Sequence, residues 1–164
     1  MAESEVILPD VHVQPGESHL VRGPMILRTV LGSCVGITFW VPRLGLAALC
    51  HPMLPRCPVK PGVKPHLADS RRYVDFAVRD LARQFDSFAV DRGEVQVKLF
   101  GGGDVLLVKN GGSRPTVGRL NSEEALHVLR DEGFHVVASS LGGTSGLQIQ
   151  FDTGTGEVLL RRLN

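Results

Sequence analysis

The sequence has little net charge, few aromatic residues and no long hydrophobic run. The formal net charge is +1 at pH 7 over 164 residues, so no electrostatic argument favours binding to nucleic acid or to a membrane surface. Aromatic residues make up 5% of the chain and are not interleaved with basic residues in a stripe. The longest uncharged run, residues 29–42, is shorter than the ~20 residues of a membrane-spanning helix. We therefore expect no nucleic-acid partner and no direct membrane insertion.

Cysteine is also scarce. The chain has three cysteines, an odd number that does not suit a disulfide framework. The N-terminal residues MAESEVILPD are acidic and contain a proline, so they lack the basic start and apolar core of a secretory signal. These features predict a cytoplasmic protein in which Cys34, Cys50 and Cys57 stay as thiols.

Hydrophobic periodicity predicts one α+β domain over residues 1–164, with helices on a largely antiparallel or mixed sheet system. Residues 1–23 are expected to form an extended lead-in with one strand at 11–13. One helix is predicted from Asp69 or Ser70 to Ser87, and a second over 122–132 with Asn121 as its N-cap. The other strands are predicted at 25–31, 34–41, 44–50, 94–100, 106–108, 134–139, 147–151 and 158–163.

The stretch from Thr29 to Pro55 contains the candidate chemistry. If a two-residue turn at 42–43 joins two antiparallel strands, Cys34 lies directly opposite His51. Opposed residues have Cα atoms roughly 4.5–5.5 Å apart, which lets a thiol and an imidazole share a proton. This register therefore predicts a reactive pair, although a proline at the first turn position suits type I or II turns better than hairpin turns.

Cys34 follows a Gly-Ser turn at the start of a strand. There the main-chain N–H groups of Ser33 and Cys34 can point at a bound oxyanion, and small residues let a substrate approach. A free cysteine is otherwise most often a buried apolar residue, and this is the expectation for Cys50 and Cys57. The residues alone leave open whether Cys34 is a nucleophile or a core thiol.

A zinc site is the main competing interpretation, because Cys50, His51, Cys57 and His66 are close in sequence. Their spacing departs from zinc modules, and adjacent strand residues point to opposite faces, so we expect no metal and no cofactor. The glycine run 101–103 lacks the spacing of a phosphate-binding loop. It is expected to be a turn with positive φ or a close backbone approach.

Several motifs together resemble the CheD family of chemoreceptor glutamine deamidases. They occur in the family's order from about residue 10 to 163. The motifs are LGSCV at 31–35, HPMLP at 51–55, RYVD at 72–75, KLFGG at 98–102, VGRLN at 117–121, LGG at 141–143 and FDTGTGEV at 151–158.

The resemblance implies a β-sandwich-like core flanked by helices, similar to the catalytic domain of the cytotoxic necrotizing toxins. It also implies a catalytic set in which Cys34 is the nucleophile, His51 the base and Thr29 the residue that orients the histidine. The implied reaction converts glutamine side chains of methyl-accepting chemotaxis receptors to glutamate through a thioester, with release of ammonia. The phosphatase CheC is implied as a further partner.

Two other functions stay open from the sequence. A non-catalytic adaptor could bind receptors or CheC with the same fold, although intact Cys34, His51 and Thr29 argue against it. A different thiol hydrolase, such as a broader protein glutaminase or a peptidase, would use the same pair. Activity on free glutamine, peptides and intact receptor distinguishes these functions.

Overall fold

The computed structural model describes residues 6–59, 61–64, 66–105 and 114–164, which contain nine strands and three α-helices. The strands are β1 Asp10–His12, β2 Ser18–Arg22, β3 Ile26–Leu31, β4 Val35–Val41, β5 Leu46–Cys50, β6 Gln96–Gly101, β7 His135–Leu141, β8 Gly146–Asp152 and β9 Val158–Leu163. The helices are α1 Leu67–Ser70, α2 Val74–Ser87 and α3 Val117–Asp131. The strand predicted at 106–108 lies outside the described residues.

The strands form two mixed sheets. One sheet has four strands in the order β1-β3-β8-β9, and the other has five in the order β2-β5-β4-β6-β7. Pairing is antiparallel except for β1 with β3 and β6 with β7, which are parallel. The predicted α+β class with mixed sheets is confirmed.

The five-stranded sheet is the middle layer of the molecule, as β5 illustrates. Leu46, Ala48 and Cys50 belong to the core that includes α2 and α3, whereas Ala47 and Leu49 belong to the core shared with the four-stranded sheet. Successive strand residues face opposite sides, so both faces of β5 are apolar and the whole strand is buried. The two sheets therefore face each other across one core, and the helices cover the other face of the five-stranded sheet.

Helix α2 follows the predicted pattern in its interior but not at its start. The apolar residues at helical spacing, among them Val74, Leu81 and Phe85, are all buried against the sheet. The prediction that Asp69 or Ser70 caps this helix is wrong. Ser70 is instead the last residue of the short helix α1. The Val74 N–H donates to the Leu54 carbonyl and not to a residue of α1, so α1 and α2 are separate helices.

The predicted start of α3 is also wrong. The helix begins five residues earlier, at Val117, and its N-cap is Thr116, whose Oγ1 accepts a hydrogen bond from the Arg119 N–H. Asn121 lies inside the helix. The predicted end is confirmed, because Gly133 follows the helix with φ of 81°.

The hairpin of β4 and β5 has a different register from the predicted one. Val41 pairs with Leu46 and Ile37 with Cys50, so the connection has four residues. A 3₁₀ turn at Pro42–Leu44 is followed by Gly45 at φ of 62°, which suits proline at the first turn position. The prediction that Cys34 lies directly opposite His51 is therefore wrong.

The lead-in contributes strands to both sheets. The single predicted strand near 11–13 is found at Asp10–His12, but Ser18–Arg22 forms a second strand that the sequence did not predict. This second strand pairs with β5 at the edge of the five-stranded sheet. An edge strand needs only one apolar face. The polar residues Ser18 and Arg22 at the two ends of this strand leave too short an apolar run to predict a strand from hydrophobic alternation.

Candidate active site

Two buried polar side chains meet between the sheets. In β3, Leu27, Thr29 and Leu31 share the face that points into the core between the sheets. His51 continues the face of Leu49 just past the end of β5, and it is 1% exposed. Strand alternation therefore brings Thr29 of one sheet and His51 of the other into the same interior space.

Thr29 and His51 are joined by a hydrogen bond that fixes the proton position on the ring. Thr29 Oγ1 is 2.6 Å from His51 Nδ1 and 2.7 Å from the Val13 carbonyl oxygen. The carbonyl can only accept, so the single hydroxyl proton goes to Val13 and Thr29 accepts from Nδ1–H. The neutral ring then has a free lone pair on Nε2, which is what a general base needs.

The main chain of His51 is held on both sides. Its N–H donates to the Glu17 carbonyl at 3.0 Å, and its carbonyl accepts from the Gly16 N–H at 2.8 Å. Both partners belong to the turn that precedes β2. The turn that leads into this edge strand therefore helps to position the histidine.

Cys34 is a diagonal neighbour of His51 rather than its direct partner. The Val35 N–H donates to the Pro52 carbonyl at 3.3 Å, which extends the hairpin register and places His51 opposite Gly36. Diagonal residues on one face have Cα atoms about 7–8 Å apart, within reach of a long side chain. No hydrogen bond joins Cys34 and His51, both of which the structure describes. Such contacts often tighten only when substrate binds.

Burial keeps both groups neutral at rest. Burial, with a smaller contribution from the nearby His12, lowers the pKa of His51 to about 4. Burial also raises the pKa of the half-buried Cys34 thiol, an effect that the N–H of Cys34 itself partly offsets. At neutral pH the resting pair is therefore a thiol and an imidazole, and not a thiolate and an imidazolium.

All three carbonyl groups of the Gly32-Ser33-Cys34 turn accept hydrogen bonds from the protein. The Gly103 N–H donates to Gly32 at 2.9 Å, and the Gly102 N–H donates to Cys34 at 2.8 Å. Asn121 Nδ2 donates to the Ser33 carbonyl at 2.9 Å. Within the described part of the chain, no oxygen accepts from the Ser33 or Cys34 N–H. With respect to the described residues, these two N–H groups can therefore take an external acceptor.

The glycine run explains how the turn is supported. Gly101 and Gly102 have φ of 95° and 63°, so the prediction of a positive-φ turn is confirmed. The prediction of a close backbone approach is confirmed too, because a Cβ on Gly101 would collide with the Cys34 carbonyl oxygen. The glycine run also contacts α3. Gly118 of that helix lies so close to the carbonyl oxygens of Gly102 and Gly103 that a Cβ on Gly118 would collide with them.

The proline-rich loop after His51 is fixed to both helices of this layer. Asn121 Nδ2 also donates to the Met53 carbonyl, at 2.9 Å. Arg56 donates to the buried Glu124 of α3 at 2.8 Å, and the Asp75 carboxylate accepts from the Cys57 N–H at 2.9 Å. Residues 53–57 of the loop are therefore held beside the turn that contains Cys34.

The alternative zinc set is separated in the fold. Cys50 points into the core below the helices, whereas His51 points between the sheets. Burial raises the pKa of Cys50 to about 12, which keeps the thiol protonated in this core. Among the described residues, no group of three or more His, Cys, Asp or Glu side chains is arranged to hold a metal ion.

Two contributors to this site did not follow from the sequence. Val13 supplies only a carbonyl oxygen, which no side-chain pattern indicates. The sequence pattern predicts Asn121 as an N-cap, whereas the structure places it inside the helix, where asparagine has low propensity and a specific hydrogen-bonding role is expected. Thr29, Cys34 and His51 lie around the same region between the two sheets.

Two comparisons with known proteins, one with family models and one with curated sequences, place the chain in a family. The family model described as CheD chemotactic sensory transduction matches residues 53–162. A protein of Geobacter sulfurreducens named probable chemoreceptor glutamine deamidase CheD 2 is 43% identical over 157 residues, covering 96% of this chain and 92% of that protein. A protein of Archaeoglobus fulgidus named probable chemoreceptor glutamine deamidase CheD is 31% identical, covering 93% of this chain and 92% of that protein.

The comparison with solved structures is weaker. The crystal structure of Bacillus licheniformis hypothetical protein YfiH has a TM-score of 0.48 and 11% sequence identity, covering 75% of this chain and 49% of that one. The toxin-like fold is not confirmed and stays a prediction. None of the helices among the described residues combines the length and hydrophobicity needed to cross a membrane.

The family model begins after Cys34 and His51, but the relatives span both. With a model match over more than half of the sequence and a relative 43% identical over nearly all of it, the chain belongs to the CheD family.

Proposed function

We propose that this protein is a cysteine-dependent deamidase that converts glutamine side chains of chemoreceptors to glutamate. The observation that supports it most is the arrangement at the Gly32–Cys34 turn, where two N–H groups with no acceptor among the described residues lie beside a half-buried thiol. A histidine with a free Nε2 is its diagonal neighbour. The names of the relatives from Geobacter sulfurreducens and Archaeoglobus fulgidus identify the substrate class.

In the first half of the reaction, His51 Nε2 removes the thiol proton as the Cys34 sulfur attacks the glutamine carboxamide carbon. General-base catalysis fits the neutral resting pair better than a preformed ion pair. The Ser33 and Cys34 N–H groups stabilise the negative charge on the carboxamide oxygen. Protonated His51 then gives its proton to the leaving nitrogen, ammonia departs and a thioester remains.

In the second half, water replaces ammonia. His51 Nε2 takes a proton from the water as its oxygen attacks the thioester carbon, and the same two N–H groups again stabilise the oxyanion. The carbon–sulfur bond breaks, the proton on His51 returns to the Cys34 sulfur, and glutamate is released. Thr29 keeps the ring oriented throughout by accepting from Nδ1–H.

The proposal extends to the setting of the reaction. The substrate is the helical cytoplasmic region of methyl-accepting chemotaxis receptors, and the enzyme acts in the cytoplasm. CheC is a proposed regulatory partner. The two sheets packed face to face, with helices on one side, are compatible with the proposed similarity to the cytotoxic necrotizing toxin catalytic domain.

The experiment is incubation of the purified protein with a receptor cytoplasmic fragment, followed by peptide mass spectrometry. Each deamidated glutamine gains about one mass unit, and the gain should be absent with Cys34→Ala. Free glutamine and short peptides are tested in parallel. Cleavage of a peptide bond would contradict deamidation in favour of a peptidase, and receptor binding without any mass change would favour an adaptor.

A further inference from the structure

Asn121 connects the two segments that contain the proposed nucleophile and base. We propose that it is a positioning residue that aims the Cys34 N–H at the oxyanion and fixes the distance between the two catalytic segments. This inference rests on the proposed deamidase function. Its basis is that Asn121 Nδ2 donates at 2.9 Å to both Ser33 O and Met53 O. One carbonyl precedes Cys34 and the other lies two residues after His51.

The chemistry of the two partners fixes the orientation of the Asn121 amide. Both partners are main-chain carbonyl oxygens, which only accept hydrogen bonds. A flipped amide would place Oδ1 against two other acceptors and lose both hydrogen bonds. The two Nδ2 protons are therefore both used, one for each catalytic segment.

The hydrogen bond to Ser33 also sets the direction of the next N–H. The Ser33–Cys34 peptide is trans and planar, so its carbonyl and its N–H point in opposite directions. Holding the Ser33 carbonyl against α3 turns the Cys34 N–H away from the helix. No oxygen in the described residues accepts from that N–H. Asn121 thus prepares an oxyanion donor without touching the substrate.

The Oδ1 atom of Asn121 indicates that the main role of this residue is not to stabilise the fold. Asn121 is fully buried, and its Oδ1 has no hydrogen-bond partner among the described residues. A buried acceptor without a partner costs free energy, and asparagine is a weak helix former. Such departures from local preference are expected where a side chain serves the site.

The Met53 contact adds a constraint on distance. The Met53 N–H and the Leu54 N–H both donate to the Arg72 carbonyl, so this loop is already attached to the segment before α2. Asn121 joins the attached loop to the turn at Ser33 through one amide group. Without it, the 3.3 Å hydrogen bond from the Val35 N–H to the Pro52 carbonyl would still join the two catalytic segments, but the distance between them would be less tightly fixed.

The test compares Asn121→Ala and Asn121→Asp with the unmodified protein on the receptor fragment. The Asp side chain has the same shape, but its carboxylate donates no hydrogen bond. We expect kcat to fall roughly 10- to 100-fold in both variants, with KM within about threefold of the original. Alkylation of Cys34 by iodoacetamide, resolved by peptide mass, should stay within about twofold, because displacement of iodide forms no oxyanion.

Val128→Ala is the matched control. Val128 is buried in the same helix but belongs to the core below the five-stranded sheet, so it should lower stability and leave kcat unchanged. A kcat for Asn121→Ala equal to the original would overturn the positioning role. The positioning role would also be overturned if kcat, the rate of Cys34 alkylation and the thermal stability of Asn121→Ala all fell in parallel. If Cys34→Ala keeps full activity, the proposed function itself fails, and this result is distinct from both.

Discussion

Thr29 and His51 belong to different sheets, and the 2.6 Å hydrogen bond between Thr29 Oγ1 and His51 Nδ1 joins those sheets at the candidate site. The Thr29 hydroxyl also donates to the Val13 carbonyl, and both side chains are almost fully buried. The orientation of the imidazole therefore depends on how the two sheets pack.

Thr29→Val should damage both stability and catalysis. The valine has the same shape but leaves His51 Nδ1–H and the Val13 carbonyl without a partner, which costs about 1–3 kcal/mol. With the ring no longer oriented, we expect kcat for deamidation to fall roughly 10- to 100-fold. Steady-state kinetics and urea unfolding measure the two effects. Thr29→Ser keeps the hydroxyl and serves as the control, and equal losses in both variants would argue against the hydrogen bond.

Stability should depend on pH through His51. Burial lowers its pKa from an ordinary 6.5 to about 4, so between these values the unfolded chain binds a proton that the folded chain does not. Stability therefore rises with pH through this range and is lost as the pH falls from about 6.5 toward 4, by at most about 3 kcal/mol. Urea unfolding at pH 7 and at pH 5 measures this change in the free energy of unfolding. His51→Gln should lose less stability over this interval, and parallel losses would contradict the lowered pKa.

Alanine at two different glycines should separate the cost of backbone strain from the cost of a collision with the Gly32-Ser33-Cys34 turn. Gly101 and Gly23 have similar φ of 95° and 88°, so alanine at either position should cost about 1–2 kcal/mol. Only at Gly101 does the added Cβ meet the Cys34 carbonyl oxygen, since nothing lies within 4 Å of it at Gly23. We expect Gly101→Ala to lose more stability and most activity, while Gly23→Ala keeps its kcat. Equal kcat values would show that the turn tolerates displacement.

The three thiols should differ in reactivity in the native protein. Cys50 is 0% exposed with a pKa of about 12, so iodoacetamide should modify it only at the rate of unfolding. Cys34 and Cys57 are both partly exposed and should be modified in the folded state. Because burial raises the pKa of Cys34, it should react more slowly at pH 8 than free cysteine. Mass spectrometry of the peptides checks this order, and native labelling of Cys50 would contradict its burial.

Much of the site could be predicted because strand alternation is a local property. The period of two in β3 and β5 is enough to direct Thr29 and His51 inward once the strands are located. The register between strands could not be predicted from the same pattern. It depends on the turn, and the 3₁₀ turn ended by Gly45 adds two residues to the connection that the prediction assumed.

The start of α3 shows why a local capping signal is ambiguous. Thr116 and Asn121 are both acceptable N-caps, and Glu124 fits a capping box after Asn121. Tertiary contacts decide between them, because the first turn of the helix packs its Gly118 against the glycines at 102–103. This contact frees Asn121 to bind the two loops and Glu124 to bind Arg56. Neither contact is visible in a single sequence.

The long separation between Cys34 and Asn121 has a consequence for biosynthesis. β3 pairs with β8, where Thr29 faces Ile149, and the helix that supports the Cys34 turn begins only at Val117. A ribosome-bound chain that ends before Val117 already contains Cys34 and His51, but it lacks both α3 and β8, which hold the segments around them. Contacts this distant in sequence form slowly, on the millisecond-to-second scale typical of non-local β topologies. We expect activity to appear as a late event in folding, after β8 and α3 have packed against the segments that contain Thr29 and Cys34.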